Sequence, residues 1–154
     1  MLTRLAGGNH VNLTVSDLDA STAWYCRVLN LVVVSDQTNI GPPYFTDVTY
    51  RGLFDLTTGS YVVGLIQHPD AIPGTFDERR AGLDHVGFAV PMRSDLDDWA
   101  GHLDTQGVTH SGVVTAPYAH VINFRDPDGI ALELSVINGD FWITLLKKAV
   151  TPTT

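Results

Sequence analysis

Residues 10–15 read His-Val-Asn-Leu-Thr-Val, and residues 85–90 read His-Val-Gly-Phe-Ala-Val. The two stretches lie 75 residues apart, and the same offset carries Val11 onto Val86, Val15 onto Val90 and Trp24 onto Trp99. Agreement at a single offset, inside matching strand-then-helix patterns, marks a duplicated structural unit. Each stretch alternates with a period of two, as a strand with one buried face does. In the first copy Val11, Leu13 and Val15 form one row, opposite His10, Asn12 and Thr14. In the second, Val86, Phe88 and Val90 oppose His85, Gly87 and Ala89.

Outward from these strands each copy continues into a helix. Ala20, Ala23, Trp24 and Val28 recur at helical spacing, as do Leu96, Trp99 and Leu103, which gives each helix one apolar stripe. Asp17 or Asp19 starts the first helix. Ser94 with Asp97 reads as a capping box for the second. Asn30 and Gly107 stand where a left-handed residue closes a helix. Strands are expected over 31–35, 44–56 and 60–67 in the first copy, with turns at Gly41-Pro42-Pro43 and Thr57-Thr58-Gly59-Ser60. In the second copy they are expected over 109–115, 119–124 and 130–136, with a turn at Asp126-Pro127-Asp128-Gly129. The unit is therefore βαβββ, used twice: module 1 over 8–68, a Pro- and Gly-rich linker over 69–83, module 2 over 84–138 and an apolar tail over 139–154. The fold class is α+β, with the two modules forming a curved, partly open mixed sheet around a central cavity.

Strand phase then picks out three polar residues. His10 and His85 lie opposite the apolar rows of their strands. Leu132, Leu134 and Val136 form the helix-facing row of the last strand, which leaves Ala131, Glu133 and Ser135 on the other face. A carboxylate between two leucines is costly to bury unless it is paired or bound to a metal. Two imidazoles and one carboxylate on a common face make a site for a divalent cation with open coordination positions. Candidate catalytic residues beside it are His120 and Tyr118, and Tyr50, Gln67 and His68 are further pocket candidates. His102 reads as exposed, His110 as a strand-edge residue and Cys26 as a packing residue of the first helix.

Composition narrows the class. The chain of 154 residues carries 17% charged residues, a formal net charge of −8 and one cysteine. The acidic balance argues against a nucleic-acid partner, which calls for clustered Lys and Arg. No apolar run approaches the length of a membrane span, and the N-terminus lacks the apolar stretch of a secretory signal. A single cysteine fits a reducing cytoplasm.

The opening His10-Val11-Asn12-Leu13-Thr14-Val15-Ser16-Asp17, the helix Trp24-Tyr25-Cys26-Arg27-Val28-Leu29, the second opening Leu83-Asp84-His85-Val86 and the closing segment from Phe124 through Asp126-Pro127-Asp128-Gly129 to Leu132-Glu133-Leu134 resemble the vicinal oxygen chelate superfamily. That superfamily comprises glyoxalase I, the bleomycin- and fosfomycin-resistance proteins and the extradiol dioxygenases. The resemblance covers roughly 8–138. It implies a metal bound from the first and last strand of each module: His10, His85 and Glu133 take three of the four positions. The fourth falls on Val63 when Gly129 is aligned with Gly59, or on Gly64 after a shift of one residue, and neither ligates through a side chain. The ligand set resembles that of the extradiol dioxygenases more than that of glyoxalase I, although most extradiol enzymes carry about twice as many modules. The resemblance thus implies a divalent-metal-dependent enzyme, dioxygenase-like or a lyase or isomerase, using Fe, Mn, Zn or Ni on a small oxygen-chelating substrate. The alternative is a metal-free drug-binding protein of the bleomycin-resistance type. Either would be a homodimer.

Overall fold

The computed structural model describes residues 7–38, 48–54 and 61–150. Two compact units divide the chain, Met1–Thr75 and Phe76–Thr154. The first contains β1 (His10–Thr14), α1 (Leu18–Val28), β2 (Val32–Thr38), β3 (Thr49–Phe54) and β4 (Val62–Gln67). The second contains β5 (Val86–Ala89), α2 (Arg93–Thr105), β6 (Val114–Ala116), β7 (Ala119–Arg125), β8 (Ala131–Ile137) and α3 (Gly139–Val150). Each unit holds a four-stranded sheet, ordered β1-β4-β3-β2 in one and β5-β8-β7-β6 in the other. In both, the first strand pairs in parallel with the last, and the remaining pairs are antiparallel. The architecture is thus α+β, two βαβββ modules with open mixed sheets. The Gly41-Pro42-Pro43 and Thr57–Ser60 turns and the first part of the 44–56 strand lie outside the described residues.

The core of each unit sits between its sheet and its helix. In unit 1, Leu13, Val15, Val63, Leu65 and Leu53 pack beneath Leu18, Tyr25 and Val28 of α1, all buried. In unit 2, Val86, Ile122, Phe124, Leu132 and Leu134 do the same beneath Leu96 and Leu103 of α2. Each such side chain contributes roughly 1.5–3 kcal/mol on burial. A one-residue slip in any of these strands would reverse its faces, so the registers are strongly specified.

Local signals set the helix ends. Asp17 caps α1, its side chain accepting from the Ala20 amide at 2.9 Å, as one of the two expected starts. Asn30, at φ +54°, and Gly107, at φ +69°, close α1 and α2 in the left-handed region. At the start of α2 the expected Ser94/Asp97 box is displaced by two residues. Met92 is the N-cap, and Asp95 reaches back to accept from its amide at 3.1 Å. Asp97 instead pairs with Arg93 at 2.9 Å, an ion pair one turn away.

Two further expectations are corrected. The buried face of α1 is Leu18, Ser21, Thr22, Tyr25 and Val28, while Ala20 and Ala23 are exposed and Trp24 is half-buried. Small polar residues were able to face the sheet because they are satisfied locally: the Thr22 hydroxyl donates to Leu18 O at 2.5 Å. The strand expected over 109–115 is confined to Val114–Ala116, with one isolated bridge between His110 and Phe124. Gly112, at φ +67°, bends the chain out of the ladder, and Ser111 Oγ takes the Asn123 amide at 3.0 Å in place of a strand partner.

Candidate metal centre

Register fixes which residues share a face. In unit 2, Gly87 pairs with Glu133 and Glu133 with Asn123, so these three lie side by side, on the face opposite Leu132 and Leu134. Glu133 is half-buried. Its carboxylate reaches over Gly87, with Oε1 3.8 Å from where a Cβ on that glycine would stand. Among the described residues the carboxylate has neither a hydrogen-bond nor an ion-pair partner.

His85 stands one residue before β5, with its side chain 46% exposed. It lines a cavity of about 430 Å³ together with Asp84, Glu78, Asn123, Arg125 and Ala131. Glu133 is not part of that lining, which also includes Phe124 and Leu132 of the helix-facing row, so the cavity lies at the end of the sheet rather than on the Glu133 face. Arg125 crosses this end and is fully engaged, with Glu78 at 2.7 and 3.1 Å and Gly129 O at 2.8 Å. Those hydrogen bonds hold the Glu78 carboxyl below the ordinary carboxylate range.

Both histidines are oriented by the residue before them. His85 Nδ1 lies 2.7 Å from Asp84 Oδ1, and His10 Nδ1 lies 2.5 Å from Asn9 Oδ1. An amide or carboxylate oxygen only accepts, so Nδ1 is the donor in each pair, and in the neutral ring Nε2 is then the acceptor. A ligating histidine held through its second nitrogen is the usual arrangement in metal sites. Asn9 and Asp84 stand at the same 75-residue offset as the histidines. They are the residues that the strand reading passed over, and the repeat itself was the signal that could have found them.

In unit 1, Asn12 pairs with Gly64 and Gly64 with Gly52. The position equivalent to Glu133 is therefore Gly64 rather than Val63, which is buried on the helix side. His10, at the head of β1, is exposed and shares the parity of Asn12. Gln67 follows the parity of Val63 and Leu65, and its amide donates to Ser16 O at 3.0 Å. His68 lies just past β4.

His120 and Tyr118 do not join the Glu133 face. His120 pairs with Val136 and Thr115, which places it on the face of Ile122 and Phe124, and its ring lies 3.0 Å from Thr115 Oγ1. Tyr118 sits in the β6–β7 turn, half exposed, with its ring 6.3 Å from Phe141 of α3. Glu133 and Ile137 are four residues apart on β8, roughly 13 Å of strand, so Tyr118 stands at the far end. His110 is a local strut. It accepts from the Gly112 amide at 3.1 Å and donates to Asp104 at 3.1 Å. Cys26 is half-buried, and burial pushes its thiol up, away from a reactive thiolate. Among the described residues no group of three His, Cys, Asp or Glu side chains is gathered at metal-binding separation, and no helix is long and apolar enough to cross a membrane.

Two βαβββ modules of the same strand order, each opening on a histidine, place the chain in a class of small modular α+β proteins. The chain belongs to the Glyoxalase/Bleomycin resistance protein/Dioxygenase superfamily, whose model matches residues 7–134. Among its relatives, the uncharacterized protein YaeR of Escherichia coli (strain K12) is 27% identical over 82% of this chain and 92% of its own length. Biphenyl-2,3-diol 1,2-dioxygenase 2 of Rhodococcus globerulus is 28% identical over 84% of this chain, which spans 62% of that enzyme. Of solved structures, a glyoxylase/bleomycin resistance protein/dioxygenase domain from Frankia sp. EAN1pec superposes with a TM-score of 0.75 at 31% identity, covering 88% of this chain and 95% of that one. The fosfomycin resistance protein FosX from Listeria monocytogenes, complexed with Mn(II) and sulfate, shares the fold with a TM-score of 0.61 at 17% identity, over 91% and 99% of the two chains. A relative in sequence is thus named as a diol dioxygenase, and a protein sharing the fold is bound to manganese.

Proposed function

We propose that the protein is a divalent-metal-dependent enzyme acting on a small substrate with two adjacent oxygens, with His10, His85 and Glu133 as the protein ligands. The observation that carries the proposal is Glu133. Its carboxylate is half-buried in a leucine strand and has no hydrogen-bond or ion-pair partner among the described residues, so it is available to a cation. By donor type the residues suit such an ion: with Asp84 at its Nδ1, His85 offers Nε2, and with Asn9 at its Nδ1, His10 does the same. Iron, manganese, zinc and nickel all accept two imidazoles and a carboxylate with positions left open. A bound ion would supply Lewis acidity toward the two substrate oxygens, and redox chemistry as well if it is iron. The chain's own part is to fix the two imidazoles through Asn9 and Asp84. His120 and Tyr118 are left out of the proposed chemistry by the faces they occupy. The Rhodococcus dioxygenase and the manganese-bound FosX lend the proposal family support.

The proposal includes a cytoplasmic homodimer. Trp142, Ile143 and Leu146 of α3 are exposed and apolar, a surface that pairing would cover. A second reading, a metal-free drug-binding protein, is favoured by the lack of a three-residue cluster among the described residues. Elemental analysis with isothermal titration of Mn, Fe, Zn and Ni decides between them. The enzyme reading expects about one equivalent of metal, lost in His85→Ala and Glu133→Gln. Wild-type protein that takes up no metal after reconstitution refutes it. The drug-binding reading expects ligand binding that survives both substitutions.

A further inference from the structure

The helix that ends unit 2 is amphipathic, and its apolar side is uncovered. Trp142, Leu145, Leu146 and Ala149 follow the i, i+3, i+4, i+7 spacing of one helix face, flanked by Phe141 and Ile143. Asp140, Thr144 and Lys147 run along the opposite face. A stripe of this kind ordinarily packs on a sheet, as the buried faces of α1 and α2 do. On α3 every residue from Trp142 to Ala149 is exposed, and among the described residues no strand or helix of unit 2 packs along it. Its start is tied down: Asn138 donates from its amide to Tyr118 O at 2.9 Å and from Nδ2 to Pro117 O at 3.0 Å, and Phe141 lies beside the Tyr118 ring. A helix of 12 residues is marginal in water unless its apolar face is packed. The segment also stands outside the part matched to the superfamily, whose model ends at residue 134, before α3 begins.

We propose that α3 is a dimerisation helix, pairing antiparallel with α3 of a second copy of the chain across a two-fold axis. The inference rests on the homodimer reading and goes further by naming the surface and its direction. Area favours a second copy as the occupant. Trp142, Ile143, Leu145 and Leu146 are 41–62% exposed, and Ile137 and Tyr118, at the foot of the helix, are at least half exposed. At roughly 100 Å² each, the six side chains offer about 600 Å² per copy, so a pair buries about 1,200 Å², the lower end of stable interfaces. A two-fold axis brings the same patch of both copies together, so one apolar stripe serves both sides. Charge sets the direction. Asp140 stands in the first turn of α3, and Lys147 and Lys148 in the last. Parallel pairing would crowd the lysines of both copies at one end. Antiparallel pairing lays them beside Asp140 of the partner subunit instead. The net charge of −8 argues against a membrane surface as the occupant, because it opposes anionic headgroups.

Sedimentation equilibrium of the full chain reads the pairing directly. Wild type should be a dimer. Leu146→Glu should weaken association by about tenfold or more, whereas Thr144→Gln, on the opposite face, should leave it unchanged. Leu146 is exposed in the single chain, so this loss reads the interface rather than the core. Asp140→Lys and Lys147→Glu/Lys148→Glu should each weaken the dimer, and combining them should restore it, because opposite charges then face each other again. A wild-type chain that sediments as a monomer would overturn the homodimer reading and this inference with it. A dimer that Leu146→Glu leaves intact would overturn the inference alone. Charge reversals that change nothing singly would refute the antiparallel direction. A monomer that co-sediments with phosphatidylcholine/phosphatidylserine vesicles would assign the face to a membrane instead.

Discussion

Asp126 opens the turn that delivers β8, and its removal should be among the more damaging single changes in unit 2. The residue is only 6% exposed. One oxygen of its carboxylate, Oδ1, accepts from the Asp128 amide at 3.0 Å and from the Ile130 amide at 2.7 Å. Gly129, at φ +81°, completes the turn by donating to Asp126 O at 3.0 Å. Asp126→Ala strips the acceptor from both amides and leaves the buried Ile130 N–H without that partner. A lost hydrogen bond to a charged group costs about 1.5–3 kcal/mol, and a second, partly solvated one about 0.5–1.5. Together they predict a destabilisation of about 2–4 kcal/mol, or about 4–15 °C in Tm for a chain of this size. Asp126→Asn retains an oxygen in the same place and should recover more than half of the loss. Urea denaturation followed by circular dichroism measures both variants. A cost below about 0.5 kcal/mol for Asp126→Ala, the range of ordinary surface substitutions, would show that the turn does not depend on this side chain.

Three further outcomes follow from the same geometry. Tyr25→Ala should destabilise by about 3–5 kcal/mol, because Tyr25 is fully buried, and Trp24→Ala should cost clearly less; equal losses in urea melts would contradict the observed face of α1. Asp84→Ala should weaken metal binding by about 10–100-fold without unfolding the protein, as read by calorimetry, and unchanged affinity would show that His85 needs no orienting partner. Glu78 titrates lower in the folded protein because Arg125 hydrogen-bonds to it, so its ionised form stabilises the fold above the unfolded value and that contribution fades as pH falls through the lower folded value. Glu78→Gln should therefore lower Tm slightly at pH 7, and the gap should close as pH drops below the ordinary glutamate value of 4.5; a gap that persists at pH 2 would assign the effect to packing.

The duplication was legible because each strand with one buried face repeats every two residues and each module carries the same strand order. Leu13 and Val15, then Leu132 and Leu134, gave the phase directly, and all four are buried. The expected stripe of α2 holds at Leu96 and Leu103, whereas that of α1 does not. Trp24 looked like the core aromatic of α1 on size and hydrophobicity, yet Tyr25 is the buried one. A stripe rule weighs only apolar residues, whereas α1 turns Ser21 and Thr22 inward, where Thr22 bonds to its own backbone. The β6 region failed for a similar reason: its period-2 text was interrupted by a left-handed Gly112, and a side chain took over a ladder bond.

The candidate site divides along the same line. Residues whose direction follows from strand phase, such as Glu133, fell on the expected face, and so did the blank in unit 1 once register chose Gly64 over Val63. His120 could not be placed, because in a strand flanked by Val121 and Ile122, both buried, neither parity is uniquely apolar. Pairing with Val136 resolves it onto the face opposite Glu133. What no periodicity could reveal is that a bare position on one strand is defined by the side chain beside it. A Cβ on Gly87 would make only ordinary contact with Glu133, whereas one on Gly64 would overlap the Asn12 and Tyr50 side chains. A glycine inside a strand weakens it and leaves nothing to pack, and the space it leaves is open to a neighbouring side chain. In unit 2 that neighbour is a carboxylate with no partner among the described residues; in unit 1 it is an aromatic ring and an amide. The equivalent positions of the two modules therefore differ: the last strand carries Glu133 in one and Gly64 in the other, and the first strand carries Gly87 in one and Asn12 in the other.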